Sequence, residues 1–381
     1  MNAIYLDHAA TSPTHPEVVK QMLSTYTNVY GNPSSIHGFG REARYLVDKA
    51  RTTLAKSIGA SHNEIIFTSG GTEADNLALV GVSTALKQIG NHIITTSVEH
   101  HAILHTCQQL EKQGFDVTYL PVNEDGVLSL QQVKQALRED TVLVSVMFGN
   151  NEVGSIQPIK EIGELLQHHP AYFHTDAVQA YGTVDIDVNQ LHLDLMSVSG
   201  HKINGPKGIG FLYVKEDTPL SPQLFGGEQE RKRRAGTENL PGIVGLAKAA
   251  TLSMKASQEK RESYQEMKDT LKNILTEEDV TFFQNGCLET SLPHVLNLSF
   301  PGTDVESLLV NLDMEGIAVS SGSACTAGSI EPSHVLVAMF GEKSDRVRNS
   351  IRYSFGLNNT LEDVEFAARK SAKIIHRLTS I

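Results

Sequence analysis

Five short stretches place reactive side chains just after an apolar or β-branched run ends: Gly71-Thr72, Glu99-His100-His101, Asn150-Asn151, Asp176 with Gln179, and Ser199-Gly200-His201-Lys202. In open α/β sheets, ligands sit beyond the carboxyl ends of the parallel strands, so these stretches are candidates for a single site. Gly71 and Thr72 read either as a phosphate cradle or as a plain strand-to-helix turn. In the first case glycine lets the backbone approach the ligand, and a helix starting at Glu73 offers unpaired N–H groups and a positive dipole end. No GxGxxG and no GxxxxGK[ST] occurs, which argues against a dinucleotide or a nucleoside triphosphate.

Lys202 stands between an apolar strand and the turn Gly205-Pro206-Lys207-Gly208. It is either an ordinary turn lysine or a desolvated amine able to shed its proton and form a Schiff base. Asp176 is either a helix N-cap or a carboxylate aimed at a bound cation. Taken together, a Schiff-base lysine and an acid that keeps a pyridinium nitrogen protonated are what pyridoxal 5'-phosphate requires to act as an electron sink. Cys325 lies in Ser320-Ser321-Gly322-Ser323-Ala324-Cys325-Thr326-Ala327-Gly328-Ser329, a run of small residues that cannot pack a core. A cysteine there is expected to be exposed and reactive. Cys107, in a helical stretch, reads as a buried inert thiol, and Cys287, in Asn285-Gly286-Cys287, as a turn residue.

Alternation of strands and helices must hold these side chains in place. Glu64–Phe67, His92–Thr96, Val117–Leu120, Thr141–Phe148, Tyr172–Thr175 and Leu195–Ser199 read as strands. Glu73–Lys87, Ala102–Gln113 and Leu130–Leu137 read as helices, as does the stretch carrying Ile159, Ile162, Leu165 and Leu166. This pattern predicts a largely parallel sheet covered on both faces. Beyond about residue 250 the pattern changes. Lys255–Leu275 reads as one long exit helix, Val295–Phe300 as a strand, and Thr303-Asp304-Val305-Glu306 as a capping box opening a helix that stops at Gly316. Thr360-Leu361-Glu362-Asp363 opens a last helix. The expected division is a large domain over residues 13–255 and a small α+β domain from residues 1–12 and 256–381, the latter carrying the cysteine loop at about 320–331.

The chain has 381 residues, 40% of them hydrophobic, and its 32 basic and 44 acidic side chains give a formal charge of −12. With a mean hydropathy of −0.19, a soluble protein of two or three domains is expected. The acidic balance argues against direct nucleic-acid binding, and Glu230-Arg231-Lys232-Arg233-Arg234 reads as a solvated loop. No apolar run is long enough to span a membrane, and the N-terminus carries no signal-peptide pattern. Three cysteines without CxxC spacing argue against a disulfide framework or a zinc site. His100-His101 and His168-His169 lack metal-ligand spacing, so no metal is assigned and a reducing cytoplasm is the expected compartment.

Six motifs, in order, carry a family resemblance: Leu6-Asp7-His8-Ala9-Ala10-Thr11, Gly31-Asn32-Pro33-Ser34-Ser35, Thr68-Ser69-Gly70-Gly71-Thr72-Glu73, Val98-Glu99-His100, Asn150-Asn151-Glu152-Val153-Gly154 and Ser321-Gly322-Ser323-Ala324-Cys325. With His174-Thr175-Asp176-Ala177-Val178-Gln179 and Ser199-Gly200-His201-Lys202, the chain resembles the group I (NifS/IscS-like) cysteine desulfurases of the class V aminotransferase group. The resemblance implies a fold-type I pyridoxal-phosphate enzyme with a mostly parallel seven-stranded sheet and a smaller α+β domain. It implies that Lys202 carries the cofactor, Asp176 pairs with the pyridine nitrogen, His100 stacks on the ring and moves protons, and Gln179 bonds the phenolic oxygen. Gly71, Thr72, Ser199 and His201 would hold the phosphate, joined across a homodimer interface by Thr237 of the other copy. Asn151 and Arg352 would hold the carboxylate of L-cysteine, and Cys325 would take its sulfur as a persulfide for an acceptor such as a tRNA thiolation enzyme or an iron–sulfur scaffold.

Two other readings stay open at this point: another pyridoxal-phosphate enzyme in which Cys325 is incidental, and a cofactor-free sulfur carrier. Some relatives extend past the last helix into a tail that docks the scaffold, whereas this sequence stops at Ile381. The expectation drawn from that difference is a dedicated acceptor such as a thiolation enzyme.

Overall fold

The computed structural model describes residues 3–321, 325–326, 329–330 and 332–380. After strand β1 (Ile4–Tyr5) come helices α1 (Pro16–Asn28) and α2 (Gly38–Lys56), and then the alternation begins. It runs β2 (Ile65–Thr68), α3 (Gly71–Leu86), β3 (His92–Thr96), α4 (His101–Lys112), β4 (Asp116–Leu120), α5 (Leu130–Ala136), β5 (Thr141–Ser145), α6 (Ile159–Leu166), β6 (Tyr172–Asp176), β7 (Leu195–Ser199) and β8 (Gly210–Val214). The strands form one seven-stranded sheet in the order β2-β8-β7-β6-β5-β3-β4. All its pairings are parallel except those of β8, which runs antiparallel to both β2 and β7.

Strands β3, β5, β7 and β8 are buried along their whole length, so both faces of the sheet need a cover of helices. Val18 of α1, Val47 and Leu54 of α2 and Ile162 of α6 cover one face. Leu77 and Val82 of α3 and Ile103 and Leu110 of α4 cover the other. Strand β8 was absent from the sequence reading. Its apolar run Gly210-Phe211-Leu212-Tyr213-Val214 follows β7 after a tight reversal in which Gly208 takes φ +74°, a conformation that favours glycine.

The first covering face is completed by α7 (Leu240–Lys255), from which Ile243 and Leu246 reach the core. Ala256, at φ −105° and ψ 12°, breaks the helix before α8 (Ser257–Glu277). The single exit helix expected over Lys255–Leu275 is therefore the second of two, starting at Ser257. A second hydrophobic core forms around β9 (Phe283–Asn285) and β10 (Val295–Ser299), covered by α8 and α9 (Val305–Met314). The cap of α9 is Asp304, whose carboxylate accepts the Ser307 N–H at 3.0 Å, so the box expected from Thr303 does not form.

Strand β11 (Ile317–Ala318) pairs in parallel with β1, which brings Ile4 and Leu6 into this second core. The backbone then makes the pair β12 (Cys325–Thr326) and β13 (Ser329–Ile330), and continues through α10 (His334–Phe340), β14 (Ser350–Ser354) and α11 (Leu361–Thr379). Strands β14, β10 and β9 form an antiparallel sheet in that order, and α11 opens with a Thr360–Asp363 capping box. Helix α10 packs Val335, Leu336 and Met339 against Val98, Met147 and Val153, beside the carboxyl ends of β3 and β5. Among the described residues no helix is long and apolar enough to cross a membrane.

Candidate active site

The carboxyl ends of the central strands open onto a cavity of about 390 Å³. It gathers Gly71, Thr72, His100, Asn151, Asp176, Gln179, Ser199, His201, Lys202 and Arg352, residues separated by up to 281 positions in the sequence (352 − 71). Thr237 does not line the cavity; it sits exposed just before α7. The thiol of Cys325, with Gly322, Ser323, Ala324, Ala327 and Gly328, lies outside the described residues.

Lys202 ends a short 3-10 turn directly after β7. Its amine donates to the carbonyl oxygens of Ala9 and Ala10, the latter at 2.9 Å. Burial, with Arg352 nearby, brings its pKa down to about 8, so a useful fraction of the amine is neutral close to physiological pH. Asp176 accepts the Val178 N–H at 2.9 Å, and burial raises its pKa to about 6, against the pull of Lys202. Behind it, Asp75 is pushed well above the carboxylate range by burial and by Asp176. Two buried acids this close do not both ionise. Asp75 stays protonated and Asp176 carries the charge.

His100 caps α4, accepting the Ala102 N–H on Nδ1 at 3.1 Å. That bond leaves the ring proton on Nε2. Although the ring faces the open cavity, the surrounding protein and the cationic Lys202 bring its pKa down to about 4, and the imidazole is neutral. Arg352, on β14, donates to Asn151 O at 2.8 Å and to the Asp7 carboxylate at 2.7 Å. Its Nε is buried without a partner; the residue lines the cavity, where a planar guanidinium fork suits an incoming carboxylate.

A phosphorylated pyridine suits this donor set. Helix α3 starts at Gly71, two residues earlier than expected, and its N-cap Gly70 supplies no side-chain partner for the first N–H groups. Thr72, Ser199 and His201 lie beside that positive helix end. A Cβ on Gly71 would come 2.8 Å from Val178 Cγ2 and 3.6 Å from Ser199 Cβ, so glycine keeps this cradle open. The Asp176 carboxylate, dearly ionised in its buried site, would be stabilised by a cationic ring nitrogen, and Lys202 offers an amine. A lysine and an acid at neighbouring strand ends, with an uncapped helix aimed at the same cavity, define a fold-type I pyridoxal-phosphate enzyme.

Comparison with known proteins agrees. The family model described as aminotransferase class-V matches residues 4–366. The IscS 1 protein of Bacillus subtilis (strain 168) is 64% identical over 379 residues, covering 100% of both chains. The cysteine desulfurase IscS of Methanosarcina thermophila is 48% identical over 379 residues, covering 100% of this chain and 93% of its own. Among solved structures, a NifS-like protein superposes with a TM-score of 0.92 at 36% identity, over 98% of this chain and 100% of the other. A structure described as SspA in complex with cysteine gives 0.82 at 36% identity, over 92% and 98%. The chain belongs to the class-V aminotransferase family, in its NifS/IscS-like cysteine desulfurase branch. Pyridoxal 5'-phosphate is its cofactor.

The sequence reading assigned no role to several groups that build the site. Glu99 is fully buried, accepts from Thr96 Oγ1 at 2.7 Å and Met147 N at 2.9 Å, and has its pKa raised to about 8 by burial. Glu152 is also buried and accepts from Ser333 Oγ, the cap of α10. His334 donates from Nε2 to the Glu99 carbonyl at 2.9 Å. Glu99 and Glu152 were present in the quoted motifs, and acids inside otherwise apolar stretches were the available signal. The carbonyls of Ala9 and Ala10 gave none, because any residue supplies a carbonyl.

Proposed function

We propose that this enzyme removes sulfur from L-cysteine, leaves L-alanine, and carries the sulfur as a persulfide on Cys325 to an acceptor protein. One observation carries the reading. A partly neutral lysine amine, a neutral histidine with its proton on Nε2 and an arginine guanidinium share one cavity, and both flanks of the segment holding Cys325 border it. On the N-terminal side Ser320 lines the cavity and exchanges backbone hydrogen bonds with Arg352. On the C-terminal side His334 lines it and Ser333 is tied to Glu152.

When bound, pyridoxal phosphate supplies an electron sink for the substrate Cα. The protein's own residues do the rest. Arg352, with Asn151, orients the substrate carboxylate; because Asp7 already engages one arm of Arg352, the substrate must share or displace that contact. Lys202 holds the cofactor and, once released, takes the Cα proton, a role for which a pKa of about 8 suits an amine. His100 Nε2 holds or returns a proton within the same cavity. Asp176 would pair with the ring nitrogen of the bound cofactor, and Gln179 would hydrogen-bond its phenolic oxygen. Cys325, as thiolate, attacks the substrate sulfur: the S–S bond of the persulfide forms as the substrate Cβ–S bond breaks, and the electron pair left on carbon takes up a proton to give L-alanine.

A homodimer belongs to this reading. Leu23, Tyr26, Ile36, Phe39 and Tyr45 of the α1–α2 face are exposed, Ile36 to 91%, and a second copy covering them would bring its exposed Thr237 to the neighbour's phosphate cradle. We further place the domain boundaries at 12/13 and 255/256, the enzyme in the cytoplasm, and the acceptor among tRNA thiolation enzymes or iron–sulfur scaffolds. The test is to give purified protein L-cysteine and reductant and to measure alanine and sulfide. Wild type is expected to release both, Lys202→Ala neither, and Cys325→Ala to lose sulfur transfer. Full activity in Cys325→Ala would overturn the reading in favour of an aminotransferase or lyase.

A further inference from the structure

Gln179 is buried, and both ends of its amide are held by hydrogen bonds. Its Nε2 donates to Ala9 O at 2.9 Å. A carbonyl only accepts, so this bond settles which end of the amide is nitrogen. Its Oε1 lies 3.2 Å from His294 Nε2, which must therefore be the protonated ring nitrogen, while His294 Nδ1 is buried with no partner. His294 lies outside the cavity lining, just before β10, and is 7% exposed. Burial beside Lys268 and Lys202 keeps it neutral, and a neutral imidazole carries one N–H, here spent on Gln179. The result is that Gln179 has its oxygen occupied from behind, one amide hydrogen on Ala9, and its second amide hydrogen left for the cavity.

We propose that His294 is a positioning residue that orients the Gln179 amide, so that an N–H donor and not a carbonyl faces the phenolic oxygen of the cofactor. This rests on the cofactor seat described above. With His294 unable to donate, only the bond to Ala9 O still fixes the amide, and its free N–H is held less firmly toward an electron-rich oxygen. A hydrogen bond donated to that oxygen makes it a poorer base for the proton it shares with the neighbouring nitrogen, so losing the donor moves the pH midpoint of the visible band upward.

The experiment is a spectrophotometric pH titration of cofactor-loaded protein for wild type, His294→Met, His294→Gln, Gln179→Leu and the double variant Gln179→Leu/His294→Met. His294→Met is expected to raise the midpoint by about half a unit to one unit, the worth of one modest hydrogen bond. His294→Gln, which still donates, stays close to wild type, and His294→Met adds nothing on the Gln179→Leu background. An unchanged midpoint in His294→Met, or an undiminished shift without Gln179, overturns the proposal. Isotope-edited NMR of the wild-type imidazole needs no variant: a proton on Nε2 and a bare Nδ1 are expected, and the opposite tautomer overturns it equally. A wild type with no visible band would instead defeat the cofactor seat itself, so the two failures are distinguishable.

Discussion

Two buried lysines invite comparison, Lys202 in the cavity and Lys268 on α8. Burial brings the pKa of Lys202 down to about 8 and that of Lys268 to about 7. By that measure Lys268 is the more perturbed. Its amine is nevertheless committed, donating to Leu292 O at 2.7 Å and Ser291 Oγ at 3.2 Å, and it does not border the cavity. It fastens α8 to the segment that leads into β10. Lys202 also bonds two carbonyls, but it does so inside a cavity that holds an acid, a histidine and an arginine. A lowered lysine pKa therefore marks desolvation, and the open space in front of the amine marks chemistry.

The largest effect separating the two regions is expected from Lys202→Ala, which removes both the proposed attachment point and the proposed Cα base. Alanine production should drop by roughly 10²–10⁴-fold, and borohydride should no longer fix the cofactor to the chain. Lys268→Met should retain the visible band and turnover; loss of the band there would break the comparison. Next in size is Arg352→Lys. A single ammonium cannot replace the planar fork that reaches Asn151 O and Asp7, so KM for L-cysteine should rise about tenfold or more with a smaller change in kcat. An unchanged KM would move the carboxylate seat away from β14.

A smaller, pH-dependent effect sharpens the contrast. Because the folded-state pKa of Lys268 is lowered to about 7, the unfolded chain binds more protons between about pH 7 and the ordinary lysine value of about 10.4. Stability contributed by this group therefore climbs as pH rises through that window. Relative to wild type, Lys268→Met should lack that climb, seen as a flatter curve of Tm against pH from about 7 to 10. Parallel curves would mean that Lys268 is solvated and charged in the folded protein.

The sequence made the parallel strands legible because each is a buried apolar run. It made most of the cavity legible because Gly71, His100, Asp176, Ser199 and Lys202 sit where such runs stop. It hid β8, whose short apolar run Gly210–Val214 has neither a chemistry-bearing end nor a helix directly after it to mark it as a strand of the alternating pattern. The break at Ala256 was hidden because alanine is a strong helix former, and only the packing of α7 on the sheet and α8 on the second core separates them. Arg352 carried no local signal beyond its motif; it reaches the cavity because β14 bridges Ser320. His294 and Asp75 depend on contacts between segments far apart in sequence, which periodicity does not report.

The smallest expected effect belongs to Glu99, a buried acid whose environment is the mirror image of Lys268. Burial raises its pKa to about 8, so the folded protein holds a proton that the unfolded chain releases from about pH 4.3 upward. Stability contributed by Glu99 therefore falls as pH climbs from about 4.3 toward 8, the reverse of the lysine case. Glutamine at this position still accepts from Thr96 Oγ1 and Met147 N on Oε1, and the backbone carbonyl that anchors His334 is untouched. Glu99→Gln should accordingly keep its fold and most of its turnover while losing the downward drift of Tm over that range. A Tm curve that tracks wild type across the window would show that Glu99 is already ionised beside Asp176. In that event the negative charge behind the cofactor ring would be shared between two carboxylates, and Asp176 would no longer be its sole source.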